Sequence, residues 1–424
     1  MLNKNFLSLI SSTVAINLGD SFFYITIMWY IHYRYGNPMY TALMGFLFTI
    51  PELFSFLFGP IIDKLNKVKL LRLSCFIQML IVFIVLFASI SDNWMIGLFI
   101  FFIPIFAIAS ESSYPTGLAL LPVFLRKNDL LKGNAIASFA NTGIDLIFNA
   151  VAGLLISVVA VQIIFSINLS IFILAFSLTL LLRSNYKKIS NSDEEAVIDA
   201  EDLFKSSSAT ETIKEYLYDL LDGFAFIKQK FILKLLLPLL VLNLFFAMMK
   251  VNMPLFSDNH FGSALGFGLI LSFYAIGTMV GSIIVNVVIS KITVGRLIGF
   301  CFLFSGTLWI LFVFLIDFNF LMSILFLVFS STFMGMINII YMTLFQKITP
   351  IESLGKVTTF NMSLISAAIP LGSILGGVVT LVFAVNTIFL FYGIGHFILG
   401  LYAFCIKQIR SLPKMEQIDA KQVL

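Results

Sequence analysis

The sequence predicts an all-α integral membrane protein with twelve transmembrane helices in two six-helix pseudo-repeats. Three observations lead there. Of 424 residues, 60% are hydrophobic and 11% charged, against about 25% charged in a soluble domain. Mean hydropathy is +1.03 and Phe occurs 48 times, more apolar surface than a water-soluble fold can bury. The apolar residues also fall in runs of roughly twenty that are apolar on every face. A chain crossing a bilayer must satisfy its own backbone hydrogen bonds, which leaves helices or closed barrels. Barrel strands alternate apolar and polar residues, and these runs do not.

The spans follow in order at approximate positions 6–33, 39–61, 70–90, 94–122, 134–159, 162–183, 231–255, 263–289, 295–316, 320–343, 356–383 and 386–407. Several exceed the crossing length, which tilt accommodates. The first follows Lys4 like a signal peptide, but it is too long for an h-region and has no A-x-A-like site, so it reads as a retained span. The stretch 184–230 interrupts the pattern. From Asn185 to Thr210 it is rich in Ser, Asp and Glu, the composition of a mobile linker. Near Glu211–Lys228, Ile213, Leu217, Leu220, Leu221 and Phe224 fall at helical spacing, predicting an amphipathic surface helix. The expected organisation is an N-terminal bundle over 1–183, a linker over 184–230, a C-terminal bundle over 231–410 and a cytoplasmic tail over 411–424.

Basic residues set the orientation. With the N-terminus inside, all 26 Lys and Arg except Arg34 and Lys250 fall on cytoplasmic ends and loops. Outer turns such as Ser91-Asp92-Asn93 and Asp317-Phe318-Asn319 carry none. Both termini are therefore expected inside the cell, and the net charge of +4 reflects these loops rather than a nucleic-acid partner. Cys75, Cys301 and Cys405, like His32, His260 and His396, are scattered, so neither a disulfide framework nor a metal site is expected.

The halves echo each other. Gly59-Pro-Ile-Ile-Asp63-Lys64-Leu-Asn-Lys67-Val-Lys69 between spans two and three is answered by Ser290-Lys291-Ile-Thr-Val-Gly-Arg296 between spans eight and nine. Pro122…Asn128-Asp129-Leu130…Gly133-Asn134 is answered by Pro350…Glu352-Ser353-Leu354-Gly355-Lys356. Paired repeats with a site between them describe a rocking transporter. The first loop resembles the loop 2–3 signature of the major facilitator superfamily. Gly19-Asp20, the Pro122 to Ala135 stretch, Gly153 and Leu220-Leu221-Asp222-Gly223-Phe224 resemble the branch of macrolide-efflux and enterobactin-type exporters, twelve-span drug:proton antiporters. The resemblance covers the whole chain. It departs at Lys64, where the family usually has Arg, and in span four. Many proton-driven relatives carry an Arg about ten residues before the Pro matched by Pro115, and Phe101–Ala109 has no charge. That argues against the family's standard coupling scheme.

Four carboxylates lie inside apolar runs: Asp20, Glu52, Glu111 and Asp145. Each is costly in hydrocarbon unless it meets a cavity or a partner, so each is a candidate for proton coupling or substrate contact. Structural hydrogen bonding competes for Asp20, and a helix bend beside Pro51 competes for Glu52. Lys250 is a further candidate, for an acidic substrate or a carboxylate, against snorkelling to the interface. Gly59, Asp63, Lys64, Lys67 and Lys69 form a candidate gating loop in which ion pairs latch helix ends; the alternative is topology alone. The resemblance implies that spans one, four, seven and ten line the cavity. That makes Phe23, Tyr24, Phe246, Met249, Asn338 and Tyr341 candidate lining residues. Gly277, Gly281, Gly372, Gly376 and Gly377 read as close helix contacts. There is no GxxxxGK[ST] phosphate loop, and no clustered nucleophile, base or metal set that an enzyme would need.

The expected function is secondary active transport by alternating access: a monomeric proton-coupled exporter of amphipathic organic compounds, with no cofactor beyond the proton gradient. Its partners are a small molecule and the lipid bilayer. A Phe-, Ile-, Lys- and Asn-rich composition points to an AT-rich bacterium, hence a bacterial plasma membrane. The rival within transport is a dedicated exporter of one metabolite such as a siderophore. A lipid scramblase or a membrane-embedded enzyme is the rival of another class.

Overall fold

The structure, a computed structural model, describes residues 4–57, 65–90, 95–125, 133, 136–137, 148–182, 230–349 and 363–418. Its elements are helices. Ten of those described are long and apolar enough to cross a membrane: Lys4–Tyr35, Lys67–Ala88, Ile96–Phe124, Val161–Leu180, Phe231–Val251, Ala264–Val288, Val294–Leu315, Phe320–Ile348, Ser363–Thr380 and Val385–Cys405. They correspond to spans one, three, four and six to twelve. Spans two and five are described in part, as Pro38–Thr49 and Phe148–Val158. Asp145, Gly59, Asp63 and Lys64 lie outside the described residues, as does the expected amphipathic helix near 211–228.

Prolines act differently in two places. Span two is not one regular helix. Its α-helix ends at Thr49 and continues as a tighter 3-10 turn over Ile50–Leu57, because Pro51 has no N–H to continue the ladder. Span four stays helical through Pro104, Pro115 and Pro122. Hydroxyls bond the backbone there: Ser112 and Ser113 to Ala109 O, both at 2.9 Å, and Thr116 to Ser112 O at 2.6 Å.

The chain forms two compact units. The first holds residues 1–30 and 47–217, the second residues 31–46 and 218–424. The second unit thus includes a segment that the sequence assigns to the N-terminal bundle. The cause is close packing. A methyl placed on Gly45 would overlap Val251, and one on Gly377 would overlap Ala42. His32 Nε2, on the same segment, donates to Asp258 Oδ2 at 3.2 Å.

The first unit is built on an aromatic core. Phe23 lies tilted against Phe106 with ring centroids 4.3 Å apart, and Phe172 meets Phe106 edge-on at 5.9 Å. Asn66 caps span three by accepting from the N–H groups of Val68 and Lys69 at 3.1 and 3.2 Å. Arg72 donates to the carbonyls of Thr179, Leu180 and Leu182, placing a cation at the C-terminal end of span six.

In the second unit spans eight and ten cross at glycines. Gly277 lies against the Val328 carbonyl, Gly281 against that of Thr332 and Gly335 against that of Thr278, with no room for a Cβ. Asn252 breaks span seven from the short helix Met253–Phe261 and ties it to span eleven. It donates to Gly376 O at 3.0 Å and accepts from Thr380 at 2.7 Å. Residues 407–418 are not a loose tail. They fold back as a strap: Val294 N–H donates to Pro413 O at 3.0 Å and Lys347 Nζ to Met415 O at 2.7 Å. Leu412, Met415 and Ile418 are buried in the unit's core.

Candidate functional site

In the first unit, helix geometry gathers polar groups from three spans around one carboxyl. Asp20, near the middle of Lys4–Tyr35, is partly buried. Gln78 Nε2 donates to its Oδ1 at 2.5 Å, and Ser110 Oγ donates to its Oδ2 at 2.6 Å. One residue earlier, the Gly19 carbonyl accepts from Asn168 Nδ2 at 2.8 Å. Ser74 and Ser112 bond each other at 2.8 Å between the same two neighbouring helices, spans three and four. The Gln78 Oε1 atom is buried and without a hydrogen-bond partner. The carboxylate is therefore satisfied by two donors, with an unused acceptor on the same amide.

Sequence reasoning singled out Asp20 but missed Gln78, Ser110 and Asn168. The signal for Gln78 was present, since it is the one amide in the run Lys67–Ala88. The other charged candidates are placed as follows. Glu52 is half-buried in the 3-10 turn, Glu111 is half-buried beside Ser110, and Lys250 is half-buried in the last turn of span seven, in the second unit. Lys67 and Lys69 sit in the first turn that Asn66 caps.

The second unit contains a cleft of about 410 Å³ between spans seven, ten and eleven. Its polar lining is Asn243, Asn338, Tyr341, Gln346 and Ser366. Met334, Met342 and Phe345 supply apolar wall. Among the described residues that line it, none is charged. Asn338 is exposed to it, whereas Tyr341 is 2% exposed and its hydroxyl has no hydrogen-bond partner. Of the other expected lining residues, Tyr24 is half-buried against Phe48 and Phe246 packs on Tyr274 and Tyr392. Phe23 and Met249 are both 0% exposed, packed within their own units.

At the end of the second unit away from the strap, two histidines are paired. His32 meets Asp258, as above. His260 Nδ1 contacts Asp317 Oδ1 at 2.5 Å and Nε2 contacts Asn386 Oδ1 at 2.8 Å. Among the described residues no group of three or more His, Cys, Asp or Glu is placed to hold a metal ion.

Comparison with known proteins follows from this geometry. The family model described as Major Facilitator Superfamily matches residues 9–361 and again 239–422. No curated protein matches the sequence closely enough to count as a relative. Solved structures match over nearly the full chain. A mutant POT peptide transporter with alafosfalin bound aligns at TM-score 0.73 and 11% identity, covering 97% of this chain and 96% of its own. The nucleoside transporter NupG, as a point mutant, aligns at TM-score 0.68 and 13% identity, covering 96% and 100%. A bacterial homolog of the human lysosomal transporter Spinster aligns at TM-score 0.65 and 12% identity, covering 97% of each. At such identities the likeness is one of fold.

Proposed function

The chain belongs to the major facilitator superfamily, and on that premise we propose that it exports amphipathic organic molecules across a bacterial plasma membrane in exchange for protons. Family and fold make it a multi-pass membrane transporter of a small molecule. The rest of the reading is more specific: both termini cytoplasmic, a monomer, alternating access, and no cofactor beyond the proton gradient. Two of the solved structures named above are a peptide transporter and a nucleoside transporter, and at 11% and 13% identity they lend this chain no substrate.

The observation that carries the coupling is the set Asp20, Gln78 and Ser110. A carboxyl inside a spanning helix must be stable in both protonation states if it is to carry a proton. Charged, it accepts from the Gln78 amide and the Ser110 hydroxyl. Neutral, it needs an acceptor for its own O–H. Rotation of the Gln78 amide by half a turn presents Oε1, which has no other partner. The switch therefore exchanges one hydrogen bond to the carboxyl for another, and the amide atom turned away is unpartnered in either state. No covalent chemistry is required of the protein.

The test is proton flux in inside-out vesicles carrying an acid interior. Cationic drugs, macrolides and metal-chelating siderophores are added in turn. Substrate-dependent collapse of the gradient, lost in Asp20→Asn, is the expected result. Substrate accumulation with no proton movement would remove the coupling. Transport that persists after an uncoupler has dissipated the gradient would point to a scramblase instead.

A further inference from the structure

The cleft in the second unit limits what its ligand can be. Its polar groups are three side-chain amides, a serine hydroxyl and the Tyr341 phenol. No lysine, arginine, aspartate or glutamate is among its described lining. Lys347, the cation nearest in sequence to Gln346, is spent on the Met415 carbonyl of the strap. A charged ligand group seated here would lose its hydration and gain no counter-ion from the described lining. The amides, by contrast, both donate and accept.

Tyr341 narrows the class further. Its ring is fixed between Phe302 and Phe345, with centroids 6.3 Å from each. Its hydroxyl is buried and unpartnered while its side chain lines the cleft. Buried hydroxyls are rarely left unsatisfied. A phenol donates readily, and an aprotic oxygen on the ligand would complete it. Apolar Met and Phe walls would take the ligand's hydrocarbon, and the flexible thioethers of Met334 and Met342 tolerate several shapes.

We infer that this cleft binds an uncharged, hydrogen-bond-accepting group, such as an ester, lactone or amide carbonyl, on an apolar body, with Tyr341 as its donor, and that it rejects carboxylates. The inference rests on the exporter reading only for the ligand's role as cargo. It disfavours an acidic metallophore at this cleft.

The experiment uses the full chain in nanodiscs with a matched pair of probes: the ethyl ester of diethylaminocoumarin carboxylic acid, and the free acid. Fluorescence titration is expected to show the ester binding at least tenfold more tightly than the acid. Tyr341→Phe, which removes only the hydroxyl, should weaken ester binding at least threefold and leave the melting temperature unchanged. Equal affinity for ester and acid, failure of both to bind, or no effect of Tyr341→Phe would each overturn the assignment. A second measurement needs no fitting dye. Asn338→Cys is placed in a Cys405→Ser background, since Cys75 and Cys301 are buried. A neutral methanethiosulfonate should outpace an anionic one by at least tenfold, relative to their rates with a free thiol. Equal relative rates would sink the inference. Binding is read without a gradient. A protein that binds the ester but moves no protons keeps this inference and loses the exporter reading.

Discussion

At the scale of single residues, one step of helical rotation decides which side chain reaches Asp20. The sequence places Ser110 and Glu111 side by side, and the carboxyl of Glu111 attracts the functional reading. Successive helical residues point about 100° apart, and it is Ser110 that faces Asp20. A single span shows its own period but not which neighbour each face meets, so Asp20 was legible as a candidate and its partners were not. Gln78→Leu tests the assignment of roles. Leucine keeps the bulk within an apolar helix but removes both the donor and the spare acceptor. A buried charged group that loses such a bond is destabilised by about 1–3 kcal/mol. Substrate-driven proton flux is expected to fall at least tenfold, with a smaller fall in Ser110→Ala, where the amide still serves both states. Unchanged flux in Gln78→Leu would show that the amide is packing and not part of the proton path.

At the scale of elements, close helix contact was legible and the strap was not. Glycines recurring four residues apart at Gly277 and Gly281 mark one face of a helix that another backbone approaches. Gly281→Leu would drive a side chain into the Thr332 carbonyl, which cannot turn aside as a side chain could. The expected cost is about 1–3 kcal/mol or more, read as a lowered melting temperature in detergent. A melting temperature equal to that of the native chain would mean that spans eight and ten already stand apart. The strap reads as a polar tail because Ser411, Lys414, Glu416 and Gln417 dominate it. Its signal is the spacing of Leu412, Met415 and Ile418, every third residue, on a segment too short for hydropathy averaging to register. All three are buried, at 3%, 5% and 8% exposure, and burial of such side chains contributes roughly 1.5–3 kcal/mol each. Deleting residues 407–424 should therefore lower the melting temperature of the C-terminal unit. It should also expose the apolar surface that the strap covers, seen as increased binding of a hydrophobic dye. Deletion without either change would reduce the strap to an ornament of the fold.

At the scale of the whole molecule, packing groups the chain in a way that composition does not display. The polar stretch 184–230 separates two six-span halves in the sequence, and the repeats on either side of it reinforce that reading. By contact, residues 31–46 group with the second unit. Composition cannot reveal this, because the segment is apolar and helical wherever it packs. What assigns it is tertiary: Gly45 against Val251, Ala42 against Gly377, and His32 on Asp258. Those contacts join parts of the chain lying more than two hundred residues apart. A break in the polar stretch should therefore not release the N-terminal fragment, since that fragment carries part of the second unit's own packing. A protease site inserted near Ser206 to Ala209, in a full chain carrying an affinity tag at its C-terminus, makes the test. After cleavage in detergent the N-terminal fragment should stay on the resin. His32→Ala, which removes a bond worth about 1 kcal/mol, together with Gly377→Leu, which forces Ala42 away, should let part of it wash off. If the native fragment elutes on cleavage, residues 31–46 do not hold to the second unit in solution and the boundary reverts to the one that composition draws.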